Sequence, residues 1–334
     1  MATIEPLVVR VMREFKAALL LREQAQEADM ADRYLEVEER LQAHIDALAW
    51  DFAERREQGL TISEAALYRM ERYKRLRALT EEEVLRYTGD YAEPLIRRGQ
   101  AEMGQLGIDN AASAINASYG AFGGPIFERL PYEAIENMVG LAGDGSPLNT
   151  LLREAYPDAF DGVIRELIQS TAIGVNPRQT ARRMRDGLGA GLNRALVIAR
   201  SEQLRVYRQA SAMQYERSGV VREFRRLATK DSRTCMACLV SDGERFPVGA
   251  VLSDHPNGRC AMVPVVIHAR TPQWETSLQW FRQQDPEQQR GQMGAKYFEA
   301  WQDGVFQLPQ LRSTVRSNVW GDSPQVTALN KLLN

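Results

Sequence analysis

The sequence predicts an α+β fold that is predominantly α-helical, with a helical-bundle body and a small antiparallel β subdomain. The first ~220 residues carry apolar side chains at helical spacing, as in the stripe of Phe160, Val163 and Leu167. Residues 220–228 then mix β-branched, aromatic and arginine side chains at a shorter period, and residues 261–268 form a second, more apolar run. These two runs predict strands, while residues 231–257, rich in Asp, Ser, Gly and Pro, predict loops.

The N-terminal segment contains a heptad-like series of apolar residues. Its members alternate at spacings of three and four: Tyr34, Val37, Leu41, Ile45, Leu48 and Phe52. Together with an earlier series between Ile4 and Leu19, it predicts two helices packed in a bundle. The alternative is that the heptad-like series forms a seam for a partner helix in an oligomer.

Three consecutive regions are predicted along the chain. Residues 1–145 form an N-terminal helical arm or bundle, and residues 146–268 form a central domain whose β subdomain occupies residues 220–268. Residues 269–334 form C-terminal helices and an extended tail that contains Pro309, Gly321 and Pro324.

Composition limits the classes of function. The 334 residues are 44% hydrophobic and 26% charged, which supports a folded core and excludes a disordered chain. A net charge of −2 argues against a protein whose whole surface binds phosphates, although local basic stripes remain compatible with it. The first residues lack a secretory signature, and no run reaches the ~18 apolar residues of a membrane span. We therefore expect a soluble protein, made in a cytoplasm, without a membrane partner.

The three cysteines are clustered in the sequence and predict a metal site. Cys235 and Cys238 form a C-x2-C pair, and His255 and Cys260 follow with four residues between them. Thiolates and neutral imidazole are preferred ligands of Zn²⁺, and four such ligands leave no open position, as in structural zinc sites. The β subdomain is therefore predicted to be a zinc knuckle. The alternatives are thiols without a metal, or a C-x-x-C redox pair, which here lacks a thioredoxin-like strand–helix context.

Other catalytic signatures are absent from the sequence. It contains no Gly-x-Ser-x-Gly motif, no P-loop and no GxGxxG motif. A zinc-supported nuclease would need a histidine beyond the structural ligands, and only His44 and His268 remain. No catalytic residue is predicted.

Two groups of arginines and one carboxylate need an explanation. A short basic helix predicted after Asn176-Pro177 carries Arg178, Arg182, Arg183 and Arg185, and the first predicted strand carries Arg222, Arg225 and Arg226. Each group forms either a solvated face or a contact surface for DNA phosphates. A long helix predicted over residues 193–217 places Glu202 on its apolar face, where it is expected to pair with Arg200, Arg205 or an arginine of the zinc unit.

Four segments of the chain resemble the Mu F-like family of phage head morphogenesis proteins, and their order along the sequence also agrees with that family. Ile198–Glu202 resembles the family signature IARTE, with Ser201 in place of threonine, and Gly174–Arg178 resembles the lead-in to that helix. Lys230–Cys238 resembles the element T-x-D-x-R-T-C-x-x-C. His255–Cys260 resembles H-P-x-C-R-C, with Gly258 in place of the first cysteine.

The resemblance implies a structural minor head protein of a tailed phage or prophage, located in the virion, and not an enzyme. It implies association with the portal protein, with capsid or scaffold protein as further candidate partners and a weak contact to DNA. It implies a role in procapsid assembly and in DNA packaging or delivery. Residues 1–145 lie outside the resemblance, and we expect their helices to dock on the portal or on sister copies. Six residues would form its structural motif, with Arg200 and Glu202 pinning the loops of the knuckle: Arg200, Ser201, Glu202, Asp231, Arg233 and Arg259. The rival functions are a zinc-knuckle DNA-binding protein and a zinc-supported nuclease.

Overall fold

The computed structural model describes residues 5–60, 67–120, 123–173, 175–317 and 321–333. Most of these residues are helical, and two small antiparallel sheets complete the fold. The predominantly helical α+β class predicted from the sequence is therefore confirmed. Among the described helices, none combines the length and the apolar character required to cross a membrane.

Helices make up the chain before the first strand. They are α1 (Leu7–Glu57), α2 (Glu71–Arg86), α3 (Glu93–Ser118), α4 (Glu133–Glu136), α5 (Leu148–Leu152), α6 (Ala155–Ala172) and α7 (Pro177–Ser218), with a π-helical turn (Tyr87–Ala92) between α2 and α3.

Strands and short helices follow in the rest of the described residues. They are β1 (Val221–Leu227), α8 (Met236–Val240), β2 (Arg245–Pro247), β3 (Ala261–Val266), α9 (Ser277–Arg282), α10 (Pro286–Met293), α11 (Ala295–Gln302), a 3-10 turn (Leu308–Leu311), β4 (Arg312–Val315), β5 (Ser323–Val326) and α12 (Leu329–Leu332).

Contacts divide the chain into two compact units that are discontinuous in sequence. Unit 1 comprises Met1–Leu21, Arg98–Gly145 and Arg200–Asn334, and unit 2 comprises Arg22–Arg97 and Ser146–Ala199. The helices α1, α3 and α7 contribute residues to both units. The consecutive domains 1–145, 146–268 and 269–334 stay a prediction.

The heptad-like series of α1 is buried inside unit 2. All six of its apolar side chains, from Tyr34 to Phe52, are at most 4% exposed. The hydroxyl of Tyr34 donates to the carbonyl of Leu188 in α7 at 2.9 Å, and its ring meets the Tyr87 ring edge to face at 4.9 Å between centroids. The series is therefore buried within the chain, and it is not an open seam for a partner helix.

In two places where the sequence predicts a pair of helices, the structure has one long helix. The prediction of two helices before residue 57 is wrong, because residues 20–33 contain neither glycine nor proline and α1 continues through them. The predicted break between the basic helix and residues 193–217 is also wrong, since α7 is one helix of 42 residues. Its glycines do not interrupt it: Gly187 allows the backbone of α7 to approach Gly162 in α6.

Unit 1 contains a three-stranded antiparallel sheet in the order β2–β1–β3. Phe224 of β1 pairs with Phe246 of β2 and with Pro264 of β3. The two predicted strands are confirmed, whereas α8 and β2 lie in the region predicted to be only loops. A separate two-stranded sheet, β4–β5, lies near the C-terminus.

Both faces of β1 are covered within unit 1. On one face, Phe224 packs in a cluster with Tyr215 of α7 and with Cys238. On the other, Leu227 packs with Val8 and Met12 of α1. This burial explains why the β subdomain has a core although it contains few residues.

Candidate metal centre

The first helical turn of α8 brings two of the predicted ligands together. Cys235 is the N-cap residue of this helix, and its sulfur accepts a hydrogen bond from the backbone amide of Cys238 at 3.5 Å. His255 and Cys260 belong to the loop that leads into β3. In the antiparallel pair, the end of β1 lies beside the start of β3. The loop that precedes β3 therefore lies close to the segment that follows β1 and leads into α8.

One imidazole nitrogen of His255 faces two of the sulfurs. The Nε2 atom lies 3.5 Å from the Sγ of Cys235 and 3.2 Å from the Sγ of Cys238. The other ring nitrogen, Nδ1, lies 2.8 Å from the carbonyl oxygen of Pro256, which requires it to be the protonated donor. Nε2 is therefore the ring nitrogen that faces the sulfurs, as it does in a histidine that ligates a metal through Nε2.

The third cysteine lies beside a carboxylate that sequence analysis missed. Cys238, Asp254 and Cys260 form one group of potential ligand atoms, and Cys235, Cys238 and His255 form another, each within 4.8 Å. The two groups share Cys238. The four predicted ligands thus lie close together, with Asp254 as an additional acidic group 3.8 Å from the Sγ of Cys238.

The thiols interact strongly with one another. A hydrogen bond from Cys238 lowers the pKa of Cys235 to about 4, and the same bond raises the pKa of Cys238. A hydrogen bond to Cys235 raises the pKa of His255 to about 9, although burial opposes this shift. Three sulfurs and an imidazole are the donor set that Zn²⁺ prefers, so the residues present fit this ion.

The helix that resembles IARTE contacts the ligand loop through two of its residues. Arg200 donates from Nη1 to the side-chain oxygen of Asn257 at 2.9 Å, and the hydroxyl of Ser201 accepts a hydrogen bond from the amide of Asn257 at 3.1 Å. Asn257 adopts a left-handed conformation, with φ at 64°, so these contacts hold a tight turn between His255 and Cys260.

Glu202 has a different role from the one expected. Its Oε2 accepts a hydrogen bond at 2.7 Å from the Nε of Arg205, which is one of the partners predicted. Arg205 also donates from Nη2 to the carbonyl of Leu141 at 2.9 Å. The expectation that Glu202 pins the knuckle loops is therefore wrong, because its partner holds a loop that precedes α5.

Asp231 and Arg259 form a bidentate ion pair at the edge of the site. The two guanidinium nitrogens lie 2.8 and 3.0 Å from the carboxylate oxygens. Asp231 also accepts hydrogen bonds from the hydroxyl of Thr234 and from the backbone amide of Arg233. The side chain of Arg233 is exposed, and together with Arg259 it lines a small surface cleft beside Cys235 and His255.

The strand arginines do not form the surface predicted for them. Arg226 is only 2% exposed, and its guanidinium lies 3.5 Å from the carboxylate of Asp254. Arg225 lies over the ring of Trp274, with 4.4 Å to the ring centroid, and Arg222 is exposed. For Arg226 both readings, a solvated face and a DNA contact, are wrong, because β1 has no solvent face at that position.

The basic residues at the start of α7 lie in unit 2. Arg178 and Arg182 are exposed, while Arg183 and Arg185 are half-buried. Arg185 lies 4.0 Å from a carboxylate oxygen of Glu38. A contact of these arginines with DNA stays a prediction.

The remaining histidines do not join the site. His44 belongs to α1 in unit 2, whereas the ligands belong to unit 1. His268 lies just beyond β3 and lines another groove, with Pro6 and Tyr119.

Comparison with known families identifies the segment that contains this site. Residues 161–263 match the family model described as Phage Mu protein F like protein. This segment is similar to a Mu F-like domain. This domain begins within α6 and ends within β3, so it contains the whole of α7 and all four predicted ligands. Neither the curated proteins nor the solved structures gave a match.

The Mu F-like family is a structural family of phage head morphogenesis. Its members act with other components of the phage head, which places this class of protein in the virion. The segment matched covers less than half of the chain, and both the N-terminal helices and the C-terminal region lie outside it.

Proposed function

We propose that this chain is a minor head protein of a tailed phage or prophage, associated with the portal and acting in procapsid assembly and in DNA packaging or delivery. The observation that carries this proposal is the Mu F-like domain, in which the signature helix and the two cysteine-containing elements meet at one site. Its role is structural rather than enzymatic. The protein acts in the virion after synthesis in the host cytoplasm.

The site would hold a structural Zn²⁺ through Cys235, Cys238, His255 and Cys260. Zinc bound there would cross-link the two segments that carry the ligands. Because only the folded chain offers this site, the free energy of zinc binding would stabilise the fold. The chain itself orients the donors: α8 presents two sulfurs from one turn, and Pro256 holds the imidazole in the required tautomer. Arg200 and Ser201 attach the ligand loop to α7.

We expect the docking surface for the portal to lie on the solvent-exposed side of α1. The side chains of Val8 and Met12 pack on the sheet, so this part of the helix is already covered. Further along, Leu35 is 51% and Trp50 is 54% exposed. Their separation of 15 residues places them on the same side of a helix, within about 60° at ~100° per residue. We propose that this side of α1, with its two exposed apolar side chains, contacts the portal.

Co-purification of the full-length chain with the portal protein of its phage tests this proposal. The double variant Leu35→Glu/Trp50→Glu is expected to lose the portal, whereas Leu333→Glu, at an exposed leucine of the C-terminal region, is expected to retain it. Retention by the double variant would exclude this docking surface. Absence of the protein from purified virions, measured by mass spectrometry, would contradict the role in the head.

The exposed arginines of α7 favour a second, weaker activity. Arg178 and Arg182 lie one turn apart and are both exposed, as side chains that contact DNA phosphates must be. If they bind DNA, Arg178→Ala/Arg182→Ala lowers the slope of log affinity against log salt by about 2. An unchanged slope would remove the DNA contact. Metal-dependent nicking of DNA that is lost in His268→Ala would instead favour the nuclease.

A further inference from the structure

We propose that Asp254 is the positioning residue of the metal centre, and that its carboxylate requires residue 258 to be glycine. This inference rests on the proposed zinc site and adds to it a residue that is not one of the four ligands. Asp254 lies directly before His255 in the chain, and its side chain is buried.

The carboxylate of Asp254 connects the two ligand residues of its loop. Its Oδ1 accepts a hydrogen bond from the amide of His255 at 3.1 Å, and its Oδ2 accepts one from the amide of Cys260 at 3.1 Å. One side chain thereby fixes the backbone at both ends of the turn that carries these ligands. Loss of either hydrogen bond would let His255 and Cys260 move independently.

Two buried arginines hold this carboxylate and the same loop. Arg208 of α7 lies 3.9 Å from Oδ2 and donates to the carbonyl of Gly258 at 3.1 Å. Arg226 of β1 lies 3.5 Å from Oδ1 and donates to the carbonyl of Ser253 at 3.0 Å. Because a buried charge must be paired, the three side chains form one interdependent set. The set joins the ligand loop to α7 and to the central strand.

The charges of this set match those of an occupied site. Zn²⁺ with three thiolates and a neutral imidazole carries one net negative charge, and Asp254 adds another. The guanidiniums of Arg208 and Arg226 supply two positive charges in the same buried region. Neutralising Asp254 would leave an excess of positive charge beside the metal, which disfavours binding of a cation.

The space beside residue 258 is filled by Asp254. A Cβ atom on Gly258 would overlap the carboxyl group of Asp254, which is buried and cannot move aside without breaking the hydrogen bonds to His255 and Cys260. Residue 258 is also the position at which the resembling motif carries a cysteine. In this chain, a carboxylate at 254 and a side chain at 258 are therefore mutually exclusive.

Titration of the full-length chain with Co²⁺, and competition between Zn²⁺ and a chromophoric chelator, test the inference. Asp254→Asn is expected to lower metal affinity by about 10–100-fold, while the Co²⁺ d–d absorption keeps its band positions because all four ligands remain. Asp322→Asn, at an exposed carboxylate, is the matched control and is expected to bind like the wild type. Gly258→Ala is also expected to bind the metal more weakly than the wild type. If Asp254→Asn does not fold, the metal affinity of Gly258→Ala tests the same inference.

The double variant separates a shared mechanism from two independent defects. Since the overlap disappears with the carboxylate, Asp254→Ala/Gly258→Ala is expected to bind no more weakly than Asp254→Ala alone. Additive losses would overturn the link between the two positions. Wild-type affinity in Asp254→Asn would overturn the positioning role but leave the metal site standing, and shifted d–d bands would show that Asp254 is itself a ligand. Failure of the wild-type chain to bind Co²⁺ or Zn²⁺ would remove the metal centre and this inference with it.

Discussion

The hydroxyl of Ser201 accepts a hydrogen bond from the backbone amide of Asn257 at 3.1 Å. Ser201 lies in the middle of α7, and Asn257 lies at the turn between two predicted zinc ligands. This contact joins two motifs that are separated by 56 residues in the sequence. It explains in physical terms why a hydroxyl occurs at this position of the signature helix.

Replacing Ser201 by alanine should therefore destabilise unit 1. The amide of Asn257 would lose its acceptor at a partly buried contact, which costs about 0.5–1.5 kcal/mol in the free energy of unfolding. Ser201→Thr keeps the hydroxyl and should stay close to the wild type. Urea denaturation measures both variants, and equal stability of Ser201→Ala and Ser201→Thr would show that this hydrogen bond is not significant.

The crossing of α6 and α7 gives a second prediction, in unit 2. A Cβ atom on Gly162 would collide with the carbonyl oxygen of Gly187, and both atoms belong to rigid backbone. Gly162→Ala should therefore lower the unfolding free energy by about 1–3 kcal/mol, as overpacking does. Gly189→Ala is the control, because nothing lies within 4 Å of a Cβ there, and it should stabilise the helix by up to about 1 kcal/mol. If both variants have the same melting temperature, the close crossing is wrong.

Arg226 provides a third prediction, because it is buried beside Asp254. Arg226→Met removes one member of a buried ionic set and should cost about 3–5 kcal/mol in stability. Arg222→Met, on the same strand but exposed, should change stability by less than about 0.5 kcal/mol. Thermal unfolding followed by circular dichroism distinguishes the two. A tolerated Arg226→Met together with reduced DNA binding would restore the reading of this arginine as a surface contact.

Glu202 gives a prediction about pH. Burial raises the pKa of its carboxyl above the unfolded value of 4.5, and the neighbouring Arg205 only partly offsets this effect. The folded chain therefore binds more protons than the unfolded chain between the two pKa values, so this residue makes stability fall as pH rises through that window. Glu202→Gln should flatten this decrease when unfolding is measured from pH ~4.5 towards neutrality, while Glu287→Gln, at an exposed site, should not. An unchanged pH dependence in Glu202→Gln would show that Glu202 is not the group responsible.

The helical class, the two main strands and the clustering of the cysteines follow from local sequence patterns. Apolar spacing identifies α6 and the heptad-like series of α1, since helical periodicity survives whatever the helix packs on. The C-x2-C spacing is equally local, because one turn of helix brings Cys235 and Cys238 together. The convergence of His255 and Cys260 with this pair follows from the motif order, although nothing in the spacing fixes their distances.

The features that sequence analysis missed depend on tertiary packing. Asp254 is one of four acidic residues in the loop-rich segment 231–257, and only the burial of Arg208 and Arg226 beside it reveals its role. Arg226 looks like a surface residue because β strands commonly have a solvent face, yet its side chain shares the face of Phe224, which Tyr215 of α7 and Cys238 cover. The continuity of α1 was missed because its two apolar series are separated by a polar stretch, and that of α7 because Gly187, Gly189 and Gly191 lie between its two predicted parts.

X-ray absorption at the zinc edge, on the full-length chain purified without added metal, measures whether zinc is bound and which atoms bind it. We expect about one zinc per chain, with a shell of three sulfurs at ~2.3 Å and one nitrogen at ~2.0–2.1 Å, and loss of the metal in Cys238→Ser. A chain that folds and contains no zinc, or a first shell with fewer than three sulfurs, would contradict the proposed zinc site.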